Sequence, residues 1–139
     1  MDRRRILILN GVNLGELGTR EVNIYGNTDF REYFAKLQSQ FPEFELAYFQ
    51  TDLIGEMVRA MLDFKDGEAI VINPGAYTHT SIVLADTIKA LPVKVIEVHI
   101  SNLFGREKYR RNSFISGVCY GSISGFGLKG YELALRSLC

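Results

Sequence analysis

Five short apolar runs, separated by segments with helical spacing, constrain this chain more than any other feature. Ile6-Leu7-Ile8-Leu9 and Ala69-Ile70-Val71-Ile72 are apolar without a break, the pattern of strands covered on both faces. Residues 44–50, 93–98 and 118–123 read as three further strands. Phe30, Tyr33, Phe34, Leu37 and Phe41 share one face of a helix over 30–41, capped by Thr28 or Asp29. Leu53, Met57, Met61 and Phe64 form the stripe of a second helix over 53–64, capped by Thr51 or Asp52. A third helix spans 81–91 and stops at Pro92, and a last one spans 131–138. A loop with a short helical turn covers 102–111. Strands alternating with helices in this way predict an α/β fold: a five-stranded parallel sheet with helices on both faces and right-handed crossovers. No repeat, low-complexity tract or linker divides the chain, so one domain over 1–139 is expected.

Composition narrows the function classes. A 47% hydrophobic content supplies a full core and lies far from that of disordered chains. Sixteen basic residues balance sixteen acidic ones, so no global field draws the protein to nucleic acid or a membrane surface. The run Arg3-Arg4-Arg5 is short, and reads as a solvated start. Cys119 and Cys139 have no metal-like spacing, and neither a disulfide framework nor a zinc site is expected. No apolar run reaches spanning length, and no secretory leader pattern precedes the first strand, so a reducing cytoplasmic setting is the expectation.

Sheets of this kind bind ligands beyond the carboxyl ends of their strands. Three polar clusters fall there: 10–25, 73–81 and 97–111. Glu97 and His99 interrupt the apolar run Val95 to Ile100 two residues apart, so both point to one side of the strand. They form either an acid/base device or a buried ion pair. Asn13, Arg20 and Tyr25 lie in the long first loop. A tyrosine, with an ordinary pKa near 10, is a poor base; lowering it by about three units needs about 4 kcal/mol, part of which a guanidinium can supply. The plain alternative is a packed tyrosine beside a surface arginine. The stretch Asn73-Pro74-Gly75-Ala76-Tyr77-Thr78-His79-Thr80-Ser81 suits an anion or polyol, or merely caps the next helix through Thr78 or Thr80, with His79 structural. One of Arg106, Arg110 and Arg111 is a candidate for binding an acidic substrate. Gly125-Phe126-Gly127-Leu128-Lys129-Gly130 matches the dinucleotide fingerprint, but no second strand follows to carry the acidic ribose partner. Those glycines instead allow a tight turn over the sheet.

Several separated motifs together resemble the type II 3-dehydroquinate dehydratases. They are Ile8-Leu9-Asn10-Gly11-Val12-Asn13-Leu14, Leu17-Gly18-Thr19-Arg20-Glu21, Ile24-Tyr25-Gly26, the stretch from Ile72 to Ser81, that from Ile96 to Asn102, and Gly125 to Tyr131. The resemblance implies a flavodoxin-like fold and loss of water from 3-dehydroquinate in the shikimate pathway, by anti elimination through an enolate, without metal or cofactor. It implies Tyr25 as the base at C2, Arg20 as its activator, and His99 as the acid for the departing C1 hydroxyl. Glu97 would orient His99 and keep it protonated, and Asn13 would hold the water or group that stabilises the enolate. Asn73, His79 and Arg110 would bind substrate hydroxyls, and the backbone at Ile100 and Ser101 the carboxylate. Asp86 would reach a neighbouring subunit's site, in a homododecamer built as a tetramer of trimers. An inactive module that senses an anionic metabolite, or a flavin carrier, are the competing readings. The first has no need of a base and an acid together, and the second lacks a phosphate loop.

The chain departs from the family pattern at Val12 and Val22, where proline is usual. Each valine should add about 0.4–1 kcal/mol of loop entropy. The expected result is weaker substrate binding or a less ordered loop with the chemistry intact. A well-ordered loop without ligand, together with an unperturbed Michaelis constant, overturns this.

Overall fold

A computed structural model of the chain describes residues 3–11 and 30–139. Strands β1 (Arg4–Asn10), β2 (Phe44–Gln50), β3 (Ala69–Asn73), β4 (Lys94–His99) and β5 (Gly121–Ser124) form one parallel sheet in the order β2-β1-β3-β4-β5. Helices α1 (Phe30–Gln40), α2 (Ile54–Asp63), α3 (Ile82–Ala90) and α4 (Lys129–Arg136) complete the flavodoxin-like arrangement.

The alternation of side chains along each strand divides the core into two layers. Ile6, Ile8, Val71, Ile96 and Val98 pack with Leu37 of α1 and with Tyr131, Ala134 and Leu135 of α4. Leu7, Leu9, Ile70, Ile72 and Val95 pack with Met57 and Met61 of α2 and with Leu84 and Ile88 of α3. The apolar runs of β1 and β3 are continuous because both faces of the sheet are covered. Glu97 and His99 have the parity of Val95, so they extend the α2/α3 layer to the carboxyl edge of the sheet.

Several expected boundaries move, each for a local reason. Leu53 is the N-cap of α2 rather than a member of its stripe, and is 60% exposed. Thr51 accepts the Leu53 N–H just before the helix, and neither Thr51 nor Asp52 is the cap. Ser81, not Thr78 or Thr80, caps α3 by accepting the Leu84 N–H at 3.0 Å. The fifth strand starts three residues later than expected. The backbone of Val118 and Cys119 closes a 3-10 turn onto Ile115, and Tyr120 N is the first group to reach Val95 O on β4. α4 begins two residues early, at Lys129. Loop 102–111 contains two 3-10 turns, Leu103–Gly105 and Lys108–Arg110. The arginine run lies at the surface as expected, with Arg3 and Arg5 exposed, but its side chains are also anchored there. Arg4 pairs with Glu68 at 2.7 Å and donates to Leu138 O, and Arg5 pairs with Glu45 and lies over the Phe64 ring. The proposed cap residues Thr28 and Asp29 lie outside the described residues, as do Val12 and Val22.

The order places its switch point between β1 and β3, where neighbouring connections leave in opposite directions and open a crevice. The two strands close there through Gly11 N to Asn73 O at 2.7 Å. A Cβ on Gly11 would lie 2.7 Å from both Pro74 O and the Met57 terminal methyl. Gly11→Ala should therefore destabilise the protein by about 1–3 kcal/mol through overpacking, as read by the urea midpoint. An unchanged midpoint would contradict the close approach.

Candidate active site

Asn73 ends β3 and starts the turn over the sheet. Its Oδ1 accepts the Gly75 N–H at 3.2 Å, and Gly75 takes a positive φ of 62°. A 3-10 turn, Gly75–His79, then carries Thr78 inward toward β4. Asn73 Nδ2 donates to the Tyr131 hydroxyl at 3.0 Å, and that hydroxyl donates to Asn10 Oδ1 at 2.7 Å. Burial pushes the Tyr131 phenol well above its ordinary range, so it acts as a neutral strut. A primary amide has two N–H groups and two oxygen lone pairs. Among the described residues, Asn73 thus has one donor and one acceptor left for a ligand at the switch point.

Glu97 is fully buried and His99 nearly so. His99 Nε2 lies 2.5 Å from Glu97 Oε2. Thr78 donates to the same oxygen at 2.5 Å and Ser113 at 3.0 Å. Glu97 Oε1 accepts from Ser116 and, at 3.4 Å, from Ser122. Burial alone would raise the Glu97 pKa, but the His99 hydrogen bond and charge, with the Ser116 and Thr78 hydroxyls, outweigh it and hold the group at about 2. The Cys119 thiol is pushed up to about 12 by burial and by the Glu97 charge. The sequence places Thr78 in a stretch read as an anion or polyol site or as a helix cap, and assigns Ser113 and Ser116 nothing; the one available sign of the two serines is a Ser-x-x-Ser spacing in a polar loop.

His79 lies beside this pair. Its Nδ1–H donates to Asn112 O at 2.6 Å, and its ring lies near-parallel to His99, with centroids 6.3 Å apart. Phe114 N donates to Thr78 O at 2.8 Å, which zips 112–114 onto the β3–α3 turn. Beyond β4, Ile100, Ser101, Asn102, Gly105, Arg106, Gly125 and Gly127 line an open hollow of about 350 Å³. Gly125 and Gly127, at φ 94° and 61°, bond to His99 O and Ile100 O, so these glycines do turn the chain over the sheet. Arg106 reaches the Ser101 hydroxyl at 3.4 Å. Arg110 is held by Glu107, its Nε 2.8 Å from Oε2 in an ion pair without hydrogen-bond alignment. Asp86 stands exposed on α3, apart from this cluster. Asn13, Arg20 and Tyr25 lie outside the described residues. Among the described residues no group of three His, Cys, Asp or Glu is placed to hold a metal, and no helix is long and apolar enough to cross a membrane.

Residues 4–139 match the family model described as dehydroquinase class II. A 3-dehydroquinate dehydratase from an Exiguobacterium species is 45% identical over 135 residues, 96% of this chain and 93% of that protein. The crystal structure of type II dehydroquinase from Butyrivibrio crossotus superposes with a TM-score of 0.94 at 38% identity, over 98% of this chain and 97% of the other. That from Propionibacterium acnes gives 0.92 at 40% identity, over 99% and 98%.

The Glu97 pKa is depressed from 4.5, so its stabilisation is complete above that pH and fades as pH falls toward about 2. Thermal unfolding of the wild type and Glu97→Gln between these limits should show the wild-type advantage shrinking as acid is added. A constant or widening gap would refute the assignment.

Proposed function

The chain belongs to the class II dehydroquinase family, and we infer that its elimination of water is divided between a base on the first loop and an acid at the end of β4. The reaction is the dehydration of 3-dehydroquinate to 3-dehydroshikimate, a hydro-lyase step of the shikimate pathway. A proton α to a ketone is weakly acidic, so the step needs a strong base and a stabilised enolate. Tyr25 is the base that removes the C2 proton, with Arg20 favouring its ionised form. Asn13 holds the water or group that stabilises the enolate. His99 then protonates the C1 hydroxyl as the C–O bond breaks, on the face opposite the abstracted proton.

One observation carries the acid half of this reading: a buried carboxylate, Glu97, lies 2.5 Å from the His99 ring. An acid must be protonated before it donates, and a fixed anion is the counter-charge for an imidazolium. The spare donor and acceptor of Asn73, together with His79 and Arg110, suit the substrate hydroxyls. The Ile100–Ser101 backbone beside the hollow at the end of β4 suits its carboxylate. Exposure of Asp86 on α3 suits a reach into a neighbouring subunit, and assembly as a homododecamer, a tetramer of trimers, belongs to the same reading. A place in the shikimate pathway supports a cytoplasmic setting.

Purified protein given 3-dehydroquinate should generate the enone product, followed by its absorbance; no turnover would sink the reading. Tyr25→Phe should lower turnover by orders of magnitude while substrate still binds, and a near wild-type rate would remove Tyr25 as base. His99→Ala should slow the elimination step, and an unchanged rate would remove His99 as acid.

A further inference from the structure

The hydrogen bonds around Glu97 have a fixed direction, and this decides which nitrogen of His99 delivers a proton. Ser113 Oγ accepts two backbone N–H groups, from Ile115 at 3.1 Å and Ser116 at 3.0 Å. A hydroxyl has two lone pairs and one proton. With both lone pairs engaged by amides that cannot turn round, the Ser113 proton must point away from them. Among the described residues its two acceptors there are Glu97 Oε2 at 3.0 Å and Thr78 Oγ1 at 2.9 Å. If it goes to Thr78, the Thr78 proton goes on to Glu97 Oε2 at 2.5 Å. Either path ends on the same carboxylate oxygen, and Ser116 donates to the other. Glu97 is therefore surrounded by donors, and the contact with His99 Nε2 requires that nitrogen to carry its proton too.

We propose that Ser113 and Thr78 are positioning residues for the acid step: the one-way chain from the Ile115 and Ser116 amides through their hydroxyls fixes Glu97 as an acceptor, pins a proton on His99 Nε2, and leaves Nδ1 as the only ring nitrogen with a transferable proton. This rests on His99 being the acid of the elimination. Proton bookkeeping is closed, since the Nδ1 proton leaves with the hydroxyl as water and Nε2 keeps its own. Around the carboxylate stand His99, Thr78, Ser113, Ser116, Ser122 and the neutral Cys119 thiol, with His79 beyond His99. The low Glu97 pKa agrees with this donor shell.

The two histidines make the test simple, because they should hold opposite tautomers. His79 donates from Nδ1 to Asn112 O, whereas neutral His99 should carry its proton on Nε2. Nitrogen NMR of the whole protein with labelled histidine should show one ring of each kind at alkaline pH. Two Nδ1–H rings would overturn the proposal, without reference to activity. In kinetics with 3-dehydroquinate, Ser113→Ala and Thr78→Val should lower kcat about tenfold or more with KM within about threefold, and Thr78→Ser should restore the rate. In a Glu97→Gln background, which should itself be slow, Thr78→Val should have little further effect. Wild-type kcat in both Ser113→Ala and Thr78→Val, with Glu97→Gln slow, would overturn the chain of positioning alone. A wild-type rate in Glu97→Gln would instead overturn the acid reading beneath it. If Ser113→Ala fails to fold, the tautomer measurement on the unaltered protein still decides.

Discussion

A single buried negative charge governs the carboxyl edge of this sheet. Glu97 lies among apolar neighbours on β3 and β4, where an unpaired carboxylate would cost several kcal/mol. Its partners come from four places: His99 on its own strand, Thr78 from the β3–α3 turn, Ser113 and Ser116 from the loop before β5, and Ser122 from β5 itself. Satisfying that charge requires these segments to meet. The meeting also brings His79 beside His99 and holds the 112–114 segment over the turn. The chemistry at this edge and the closure of the fold around it are one arrangement.

The second fixed point is the Asn10–Tyr131–Asn73 chain across the switch point. Tyr131 comes from α4, on the opposite side of the sheet from α2 and α3. Its hydroxyl passes between β1 and β3 to set the Asn73 amide. Core packing of one layer thus orients a polar group that serves the crevice formed by the other. Glu97 and Asn73 end adjacent strands, so the two devices face the same space.

How much of this was readable in the chain depended on the range of each interaction. β2 has its expected limits and β1, β3 and α1–α3 lie within a residue or two, because burial of β1 and β3 on both faces and the stripes of α1 and α2 are properties of neighbouring residues. Glu97 and His99 stood out because two polar groups in an apolar run are costly without a purpose. Leu53 misled because an apolar residue at the right spacing can also stand outside a helix start. The start of β5 was misplaced because Val118 and Cys119 look like strand residues, yet their amides are taken by a turn. Ser113 and Thr78 were unreadable as Glu97 partners: hydroxyl residues are common in loops, and their direction depends on amides distant in sequence from Glu97. Register across the sheet and the orientation of Arg106 and Arg110 likewise arise only from contacts between distant segments.

Cys119 shows another side of the charged edge. Only a thiolate is readily attacked by peroxides and electrophiles. Burial first, and then the Glu97 charge, push the Cys119 thiol up to about 12, which disfavours its thiolate at neutral pH. The carboxylate that gathers His99 and the hydroxyls therefore adds to burial in disfavouring a second negative charge on this sulfur. Attack by peroxides at this cysteine is thus disfavoured by burial and, beyond burial, by the same buried charge.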